Sequence, residues 1–472
     1  MKVLLIAPPG IETIESDLIH LIHEERGINP PIGLLYVATS IKENSNHEVE
    51  VLDASVDKLP IKQIGEEIKK SNPDIVGMTL STFSLLECIR IAKLAKEINP
   101  KIKVIVGGIH VYIYPRETIE LGWFDYGVLG EAEHSIITIL DKIEKNESLS
   151  EIKGVVCKEN GNIIETGPPG LLADLDSIPF PDRTLLPYKR YNSIIAKANP
   201  VNIMITSRGC PYKCIFCDRP HLGKHFRVRS AENVVDEFEE CYKLGIKEIL
   251  VYDDTFTINQ RRVIDICKKI IERNIKIYWG IRARVDTVSE EMLELLKKAG
   301  CVRINYGVES GDPEVLRGLK KGITLEQAEK AFYLTKKYGI DALAYFMIGC
   351  PGDTQKTIEK TRKFAEKIKP SYVHFTILMP FPSTKVYADA LEKGFIKKDV
   401  WREFAKNPVS DFEIPVYEEN FKRHELVKLL GQCNRGFYFK PSYIIREIFK
   451  KRTPAQFYRE ARVALKLLIK RN

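Results

Sequence analysis

The stretch Ser207-Arg208-Gly209-Cys210-Pro211-Tyr212-Lys213-Cys214-Ile215-Phe216-Cys217 follows an apolar run, Val201 to Ile205, in a chain of 472 residues. The run reads as a strand, so the three cysteines lie on the loop leaving its C-terminal end. Spacings of four and three allow all three thiols to face one point from a single loop. Soft thiolate ligands select zinc, copper(I) or an iron–sulfur cluster. A structural zinc site wants four ligands, commonly as two CxxC pairs, and no second pair occurs in the chain. Three thiolates would grip a 4Fe-4S cube by all but one iron, leaving that iron open. The spacing therefore points to an iron–sulfur cluster, with zinc or unligated thiols as the alternatives.

Strands and helices alternate on both sides of this loop. Before it, residues 3–7, 49–52, 74–80, 103–107 and 126–129 read as strands, with helices over 33–42, 85–96 and 132–143. That order implies a parallel, doubly wound sheet, which binds ligands outside the C-terminal ends of its strands. Those ends carry Pro8-Pro9-Gly10, Asp53-Ala54-Ser55, Ser81-Thr82, Gly107-Gly108 and Gly130-Glu131, small enough for a large ligand to approach the backbone. Residues 154–158 and 162–166 pair as a hairpin through Asn160-Gly161. Proline and glycine then mark an extended connector to about residue 200.

After it, strands are expected at 203–206, 249–252, 275–280, 302–308, 342–347 and 372–378, with helices at 231–243, 261–272, 289–298, 325–338 and 354–367. Six strands with helices between them suggest an open, partial barrel of the TIM type, with its chemistry at the strand C-termini. Those ends hold Asp253-Asp254, Arg284, Glu309 and Ile348-Gly349-Cys350.

The CxxxCxxC loop, with an aromatic before its last cysteine, resembles the signature of the radical S-adenosylmethionine (radical SAM) superfamily. Three stretches of the N-terminal part resemble its cobalamin-binding class: Pro30-Pro31-Ile32-Gly33-Leu34, Val106-Gly107-Gly108-Ile109-His110 and Leu129-Gly130-Glu131-Ala132-Glu133. The likeness runs to about residue 385. It implies a Rossmann-like cobalamin domain (1–150), a linker (151–200), a partial (β/α)6 radical SAM domain (201–390) and a helical C-terminal region (391–472). Cys210, Cys214 and Cys217 would hold the cluster, whose open iron takes the amino and carboxylate groups of S-adenosylmethionine. Asp253 or Asp254 would then hold the methionine ammonium, Arg284 its carboxylate and Glu309 the ribose hydroxyls. Phe216 and the Ile348–Gly349 backbone would flank the adenine. A carboxylate offers only acceptors, and a guanidinium fork matches a carboxylate, so the residue types suit these roles. For cobalamin the implied residues are Pro9, Ser81, Thr82, Gly107, Gly108, His110, Gly130 and Glu131. The DxHxxG motif that supplies a lower axial histidine elsewhere is absent, so His110 is expected to line the tail pocket rather than to ligate.

The reaction implied is methylation of an unactivated carbon through a 5′-deoxyadenosyl radical. Cyclisation without methyl transfer is the alternative, and a non-catalytic cobalamin sensor is the alternative outside enzymes. A methylthiotransferase is disfavoured, because only Cys88 and Cys157 precede the cluster loop.

Ten scattered cysteines, Cys241, Cys267 and Cys301 among them in apolar segments, form a reduced, cytoplasmic pattern. The first residues are too short for a signal peptide, and no apolar run is long enough to span a bilayer. The net charge of +8 sits in the tail: residues 440–472 carry ten Lys and Arg against Glu447 and Glu460. A uniformly basic nucleic-acid binder is therefore disfavoured. Residues 455–470 form a basic amphipathic pattern suited to an anionic membrane surface or to docking on the protein. That tilts the expected substrate toward a lipid-like molecule, with an external one-electron reductant as partner.

Overall fold

The computed structural model describes residues 1–11, 27–218 and 223–448. The expected tail helix at 455–470 lies outside them.

Five parallel strands build the first sheet: β1 (Lys2–Ala7), β2 (Glu48–Asp53), β3 (Ile75–Thr79), β4 (Lys103–Gly107) and β5 (Tyr126–Val128). Two antiparallel strands, β6 (Val155–Glu159) and β7 (Asn162–Glu165), complete it in the order β2-β1-β3-β4-β5-β6-β7. The hairpin expected in the connector is thus the edge of this sheet, with Val128 paired to Val155. Helices α1 (Ile32–Asn44), α2 (Ile61–Ser71), α3 (Leu85–Ile98), α4 (Ile109–Ile113) and α5 (Ser135–Glu144) cover it. One face packs Ile64, Ile68 and Ile91 on Val76 and Val104; the other packs Leu34 and Ile139 on Val3 and Leu5. Helix α2 was not anticipated: its apolar stripe is only Ile64 and Ile68, and Gly65 lies against Leu94. The strand order reverses between β1 and β3, which is where such folds bind ligands.

The second sheet has six parallel strands in sequential order, β8 (Val201–Met204), β11 (Glu248–Val251), β12 (Tyr278–Ala283), β13 (Cys301–Glu309), β14 (Asp341–Ile348) and β15 (Tyr372–Ile377). A two-residue ribbon, β9 (Ser207–Arg208) with β10 (Arg227–Val228), closes the base of the cysteine loop. The order leaves β8 and β15 as edges, so the barrel is open. Strand β12 begins three residues later than expected; Ile275 and Ile277 lead into it as buried approach residues. Helices α6 (Ala231–Lys243), α7 (Gln260–Glu272), α8 (Glu290–Lys298), α9 (Leu325–Lys337) and α10 (Gln355–Ile368) cover the outer face. Ser230, Asn259, Ser289, Thr324 and Thr354 cap them, each accepting a backbone N–H of the first turn.

The connector has little regular structure but is tied at both ends. Tyr191 donates its hydroxyl to Asp53 at 2.7 Å, and the fully buried Arg183 pairs with Glu237 of α6. Beyond the barrel, helix α11 (Arg423–Tyr438) lies on β15, where the Tyr438 hydroxyl donates to the Val373 carbonyl at 2.6 Å. Trp401, Phe404 and Phe412 pack with Phe83 and Phe381 where the first sheet's loops meet the last barrel strand. These C-terminal aromatics are therefore a packed joint between the two sheets. No helix among the described residues is long and apolar enough to cross a membrane.

Candidate active site

Strand β8 delivers the cysteine loop, and its exit is fixed by buried polar groups. Three arginines bind carbonyls at its end and just beyond: Arg183 on Ile203 at 2.9 Å, Arg229 on Ile205 at 3.0 Å and Arg262 on Thr206 at 2.8 Å. The Asp253 carboxylate accepts the Thr206 N–H, the Thr206 hydroxyl and the Ser207 hydroxyl, each at 2.6 Å. Asp253 is 1% exposed, so of the two carboxylates expected to meet an ammonium this one instead anchors the loop; its neighbour Asp254 is exposed. Gly209 has φ +82°, and a Cβ there would lie 2.2 Å from the His225 carbonyl oxygen. Only glycine lets the loop close on itself at this point.

Burial separates the cysteines into two sets. Cys210, Cys214 and Cys217 are the three that are not buried; the other seven are. Burial pushes the thiols of Cys88, Cys241, Cys301 and Cys433 up to about 12, far above the range in which a thiolate forms. Cys350 lies in an apolar cluster with Leu378 and Val386, its thiol raised by desolvation. Thiolate chemistry is thereby confined to the one loop.

Arg284 stacks on Tyr212 of that loop, its guanidinium 3.7 Å from the ring centre. Its Nε and Nη2 donate to Asp286 at 2.9 Å, and Nη2 also to the Lys321 carbonyl at 2.9 Å. Glu309 ends β13 at a bulge, with φ +71°. Positive φ in a bulky residue marks strain held by its surroundings. Its Oε1 receives Lys321 Nζ at 2.7 Å, and that ammonium lies 5.8 Å from the Phe216 ring centre. The Ile348 carbonyl accepts Leu378 N–H at 2.9 Å; at Gly349, φ +72°, a Cβ would meet Leu426 of α11 at 2.9 Å. Lys321 is the group sequence reasoning missed. Lys320-Lys321-Gly322 looks like an ordinary solvated turn, and only the fold buries the second lysine.

A cavity of about 250 Å³ opens between the sheets. Its floor is the face of the first sheet under α1 and α5, lined by Leu5, Ile75, Ile105 and Val128; Gly107, Gly108 and Gly130 form its rim. The opposite wall belongs to the barrel: Ile205, Ser207, Arg208, Tyr252 and Asp254. Glu131 lies on the boundary, but its oxygens are taken by Arg208 at 3.0 Å and Arg227 at 2.8 Å, and by the Leu172 N–H at 2.8 Å. Arg208 also pairs with Glu133. These charges hold the carboxyl of Glu131 below its ordinary range despite its burial.

The other N-terminal candidates fall elsewhere. His110 does not line the cavity; it is fully buried on α4, bonded through Nδ1 to the Thr82 hydroxyl at 2.9 Å and packed near Tyr114. Desolvation lowers its pKa to about 4, so it is neutral. Ser81 caps the short turn at 82–84, and buried Pro9 precedes Gly10 and Ile11, whose N–H groups bind Glu87 at 3.1 and 2.7 Å. Strand-end position identified these residues, but side-chain direction after each strand is not legible in the sequence.

The residues present fit the implied groups. The three accessible thiols suit a cluster, and the glycine-rimmed, aliphatic cavity suits a large planar ligand with a buried tail. The barrel mouth between them offers carboxylates and a guanidinium.

Comparison with known proteins agrees with this geometry. The pattern of the Radical SAM superfamily matches residues 204–365, and that of the B12 binding domain matches residues 21–140. The chain is 36% identical over 454 residues to an uncharacterized methyltransferase of Pyrococcus horikoshii, covering 95% of both. It is 30% identical over 372 residues to an anaerobic magnesium-protoporphyrin IX monomethyl ester cyclase of Rubrivivax gelatinosus, covering 77% of this chain and 67% of that one. In fold it is similar to the cobalamin-dependent S-adenosylmethionine radical enzyme OxsB, with a TM-score of 0.73, 19% identity, and coverage of 99% of this chain and 72% of the other.

Proposed function

The chain belongs to the radical SAM superfamily of enzymes, in the class that carries a B12-binding domain, and from that premise we propose that it methylates an unactivated carbon of a hydrophobic, lipid-like substrate. The observation that carries this reading is one shared wall. Ser207 and Arg208, immediately before the three accessible cysteines, line the cavity that opens from the first sheet. When bound, a 4Fe-4S cluster supplies an electron to S-adenosylmethionine and cobalamin supplies the methyl group.

The chain's own residues bind, orient and exclude water. Cys210, Cys214 and Cys217 hold the cluster. Asp254 receives the methionine ammonium, Arg284 the carboxylate and Glu309 the ribose hydroxyls, while Phe216 and the Ile348–Gly349 segment flank the adenine. Gly107, Gly108 and Gly130 let the corrin approach the first sheet, and the cavity beneath takes its tail. Residues 1–150, with the hairpin at 155–165, serve cobalamin; residues 201–390 serve the radical chemistry. The electron comes from an external one-electron reductant in the cytoplasm.

The lipid-like substrate is supported by the basic, amphipathic sequence of 455–470 and by helix α12 (Pro441–Ile448) before it, which exposes Ile444 and Ile445. A second reading, cyclisation without methyl transfer, is favoured by the cyclase relative. One experiment separates the two. The protein is reconstituted anaerobically with iron, sulfide and cobalamin, then given methyl-labelled S-adenosylmethionine and a lipid extract. Label in a lipid product supports methylation; a product without label supports cyclisation. Absence of any cluster absorbance after reconstitution overturns both.

A further inference from the structure

Several side chains around the barrel mouth converge on one short segment. The Leu319 carbonyl accepts Ile215 N–H of the cysteine loop at 3.1 Å. Two residues later, the Lys321 carbonyl accepts Arg284 Nη2 at 2.9 Å. The Lys321 ammonium sits 2.7 Å from Glu309 Oε1 and 5.8 Å from the Phe216 ring centre. The pair crosses Gly307 closely: a Cβ there would lie 2.4 Å from Glu309 Oε1 and 2.8 Å from Lys321 Nζ.

We infer that Lys321 is a positioning residue for S-adenosylmethionine, holding Glu309 to receive the ribose and Phe216 to face the adenine; this rests on the function proposed above. Both charged side chains of the pair are 9% exposed. Polar atoms buried to that degree need a hydrogen-bond partner, and Lys321 Nζ gives Glu309 Oε1 its donor. Lysine occupies Oε1 only, which leaves Oε2 for the ligand. The bulge sets the backbone of Glu309 but leaves its side-chain torsions free, so the carboxylate needs a restraint of its own. Lys321 supplies that restraint from a segment already tied to the cysteine loop and to Arg284, so the ribose, carboxylate and cluster contacts share one frame.

The test compares two ligands on the full chain reconstituted with iron and sulfide. S-adenosylmethionine carries the ribose and adenine; methionine carries only the iron-chelating part. Lys321→Met is expected to weaken S-adenosylmethionine about tenfold or more, while methionine binding, followed by the paramagnetic signal of the reduced cluster, stays within about twofold. Lys321→Arg is expected to restore most of the affinity. Because Lys321 works through Glu309, Lys321→Met with Glu309→Gln should bind no more weakly than the worse single variant. This double variant strands no buried charge, so it reports on the coupling even where Lys321→Met folds poorly. Unchanged S-adenosylmethionine affinity in Lys321→Met, equal losses for both ligands, or additive losses in the double variant would overturn the inference. Failure of the clustered wild-type chain to bind S-adenosylmethionine would instead overturn the function it rests on, and the inference with it.

Discussion

Arg208 Nη1 lies 3.0 Å from Glu131 Oε1, so the residue two places before Cys210 is ion-paired to the loop that leaves β5 of the first sheet. Arg227, across the ribbon from Arg208, meets the same carboxylate, and Glu133 completes two cations against two anions. The cysteine loop and the cavity rim are therefore one electrostatic body. Neither side can move without breaking a buried pair.

Removing one member of such a network strands a buried charge. Arg208→Met leaves Glu133 unpaired and is expected to cost roughly 3–5 kcal/mol of unfolding free energy. Adding Glu133→Gln to that variant rebalances the charge and should recover much of the loss. Urea unfolding of the three chains measures this. A double variant as unstable as Arg208→Met would show that packing, not charge balance, holds the joint.

Only the accessible cysteines should matter for iron. Alanine at Cys210, Cys214 or Cys217 is expected to abolish cluster absorbance and reduce bound iron to background after anaerobic reconstitution. Alanine at Cys241 or Cys301, both fully buried, is expected to keep the iron and lose on the order of 1 kcal/mol of stability or more to the cavity it leaves. Iron analysis and urea unfolding of the five variants check both halves.

Asp353 gives the loop after β14 a pH dependence. It is 3% exposed and accepts Cys350 N–H at 2.9 Å and the Thr357 hydroxyl at 2.8 Å, yet desolvation raises its pKa to about 6. A carboxyl raised in the folded state binds its proton more tightly there than when unfolded. The contribution of Asp353 to stability is therefore greatest below about pH 4, falls as pH rises to about 6, and is lower by roughly 3 kcal/mol above that. Asp353→Asn should flatten this decline while retaining an acceptor. Urea midpoints at pH 4.5 and 7.5 for both chains test the sign; a steeper decline in the variant would refute the assignment.

Much of this was legible from residue order, and the failures share one cause. The alternation of apolar runs placed the strands of both sheets, because parallel strands buried on two faces leave a strong apolar signal. The cysteine loop was legible because its spacing is chemical as well as structural. What the chain does not advertise is side-chain direction in loops. Asp253 and Asp254 are neighbours of one type, and only the fold turns the first inward to Thr206 and the second toward the cavity. His110 and Glu131 occupy strand ends as expected, but one is buried away from the cavity and the other is consumed by arginines 77 and 96 residues distant. Lys321 gave no signal, since a lysine pair before glycine reads as solvent-facing.

The cavity itself yields the last prediction. Gly33 sits in the first turn of α1 and lines the cavity, and beyond its chain neighbours and its own helix backbone a Cβ there would have no heavy atom within 4 Å. A side chain there enters open space, and Phe is a better helix former than glycine by a few tenths of a kcal/mol. Gly33→Phe should therefore fold at least as well as the parent while filling part of the volume a cobalamin tail needs. After reconstitution with cobalamin and desalting, the variant is expected to retain about a tenth of the parent's cobalamin absorbance or less, since a ring in the pocket competes directly with the ligand. Cluster iron, held from the barrel side, should be unchanged. Equal cobalamin retention in both chains would move the corrin site away from the first sheet.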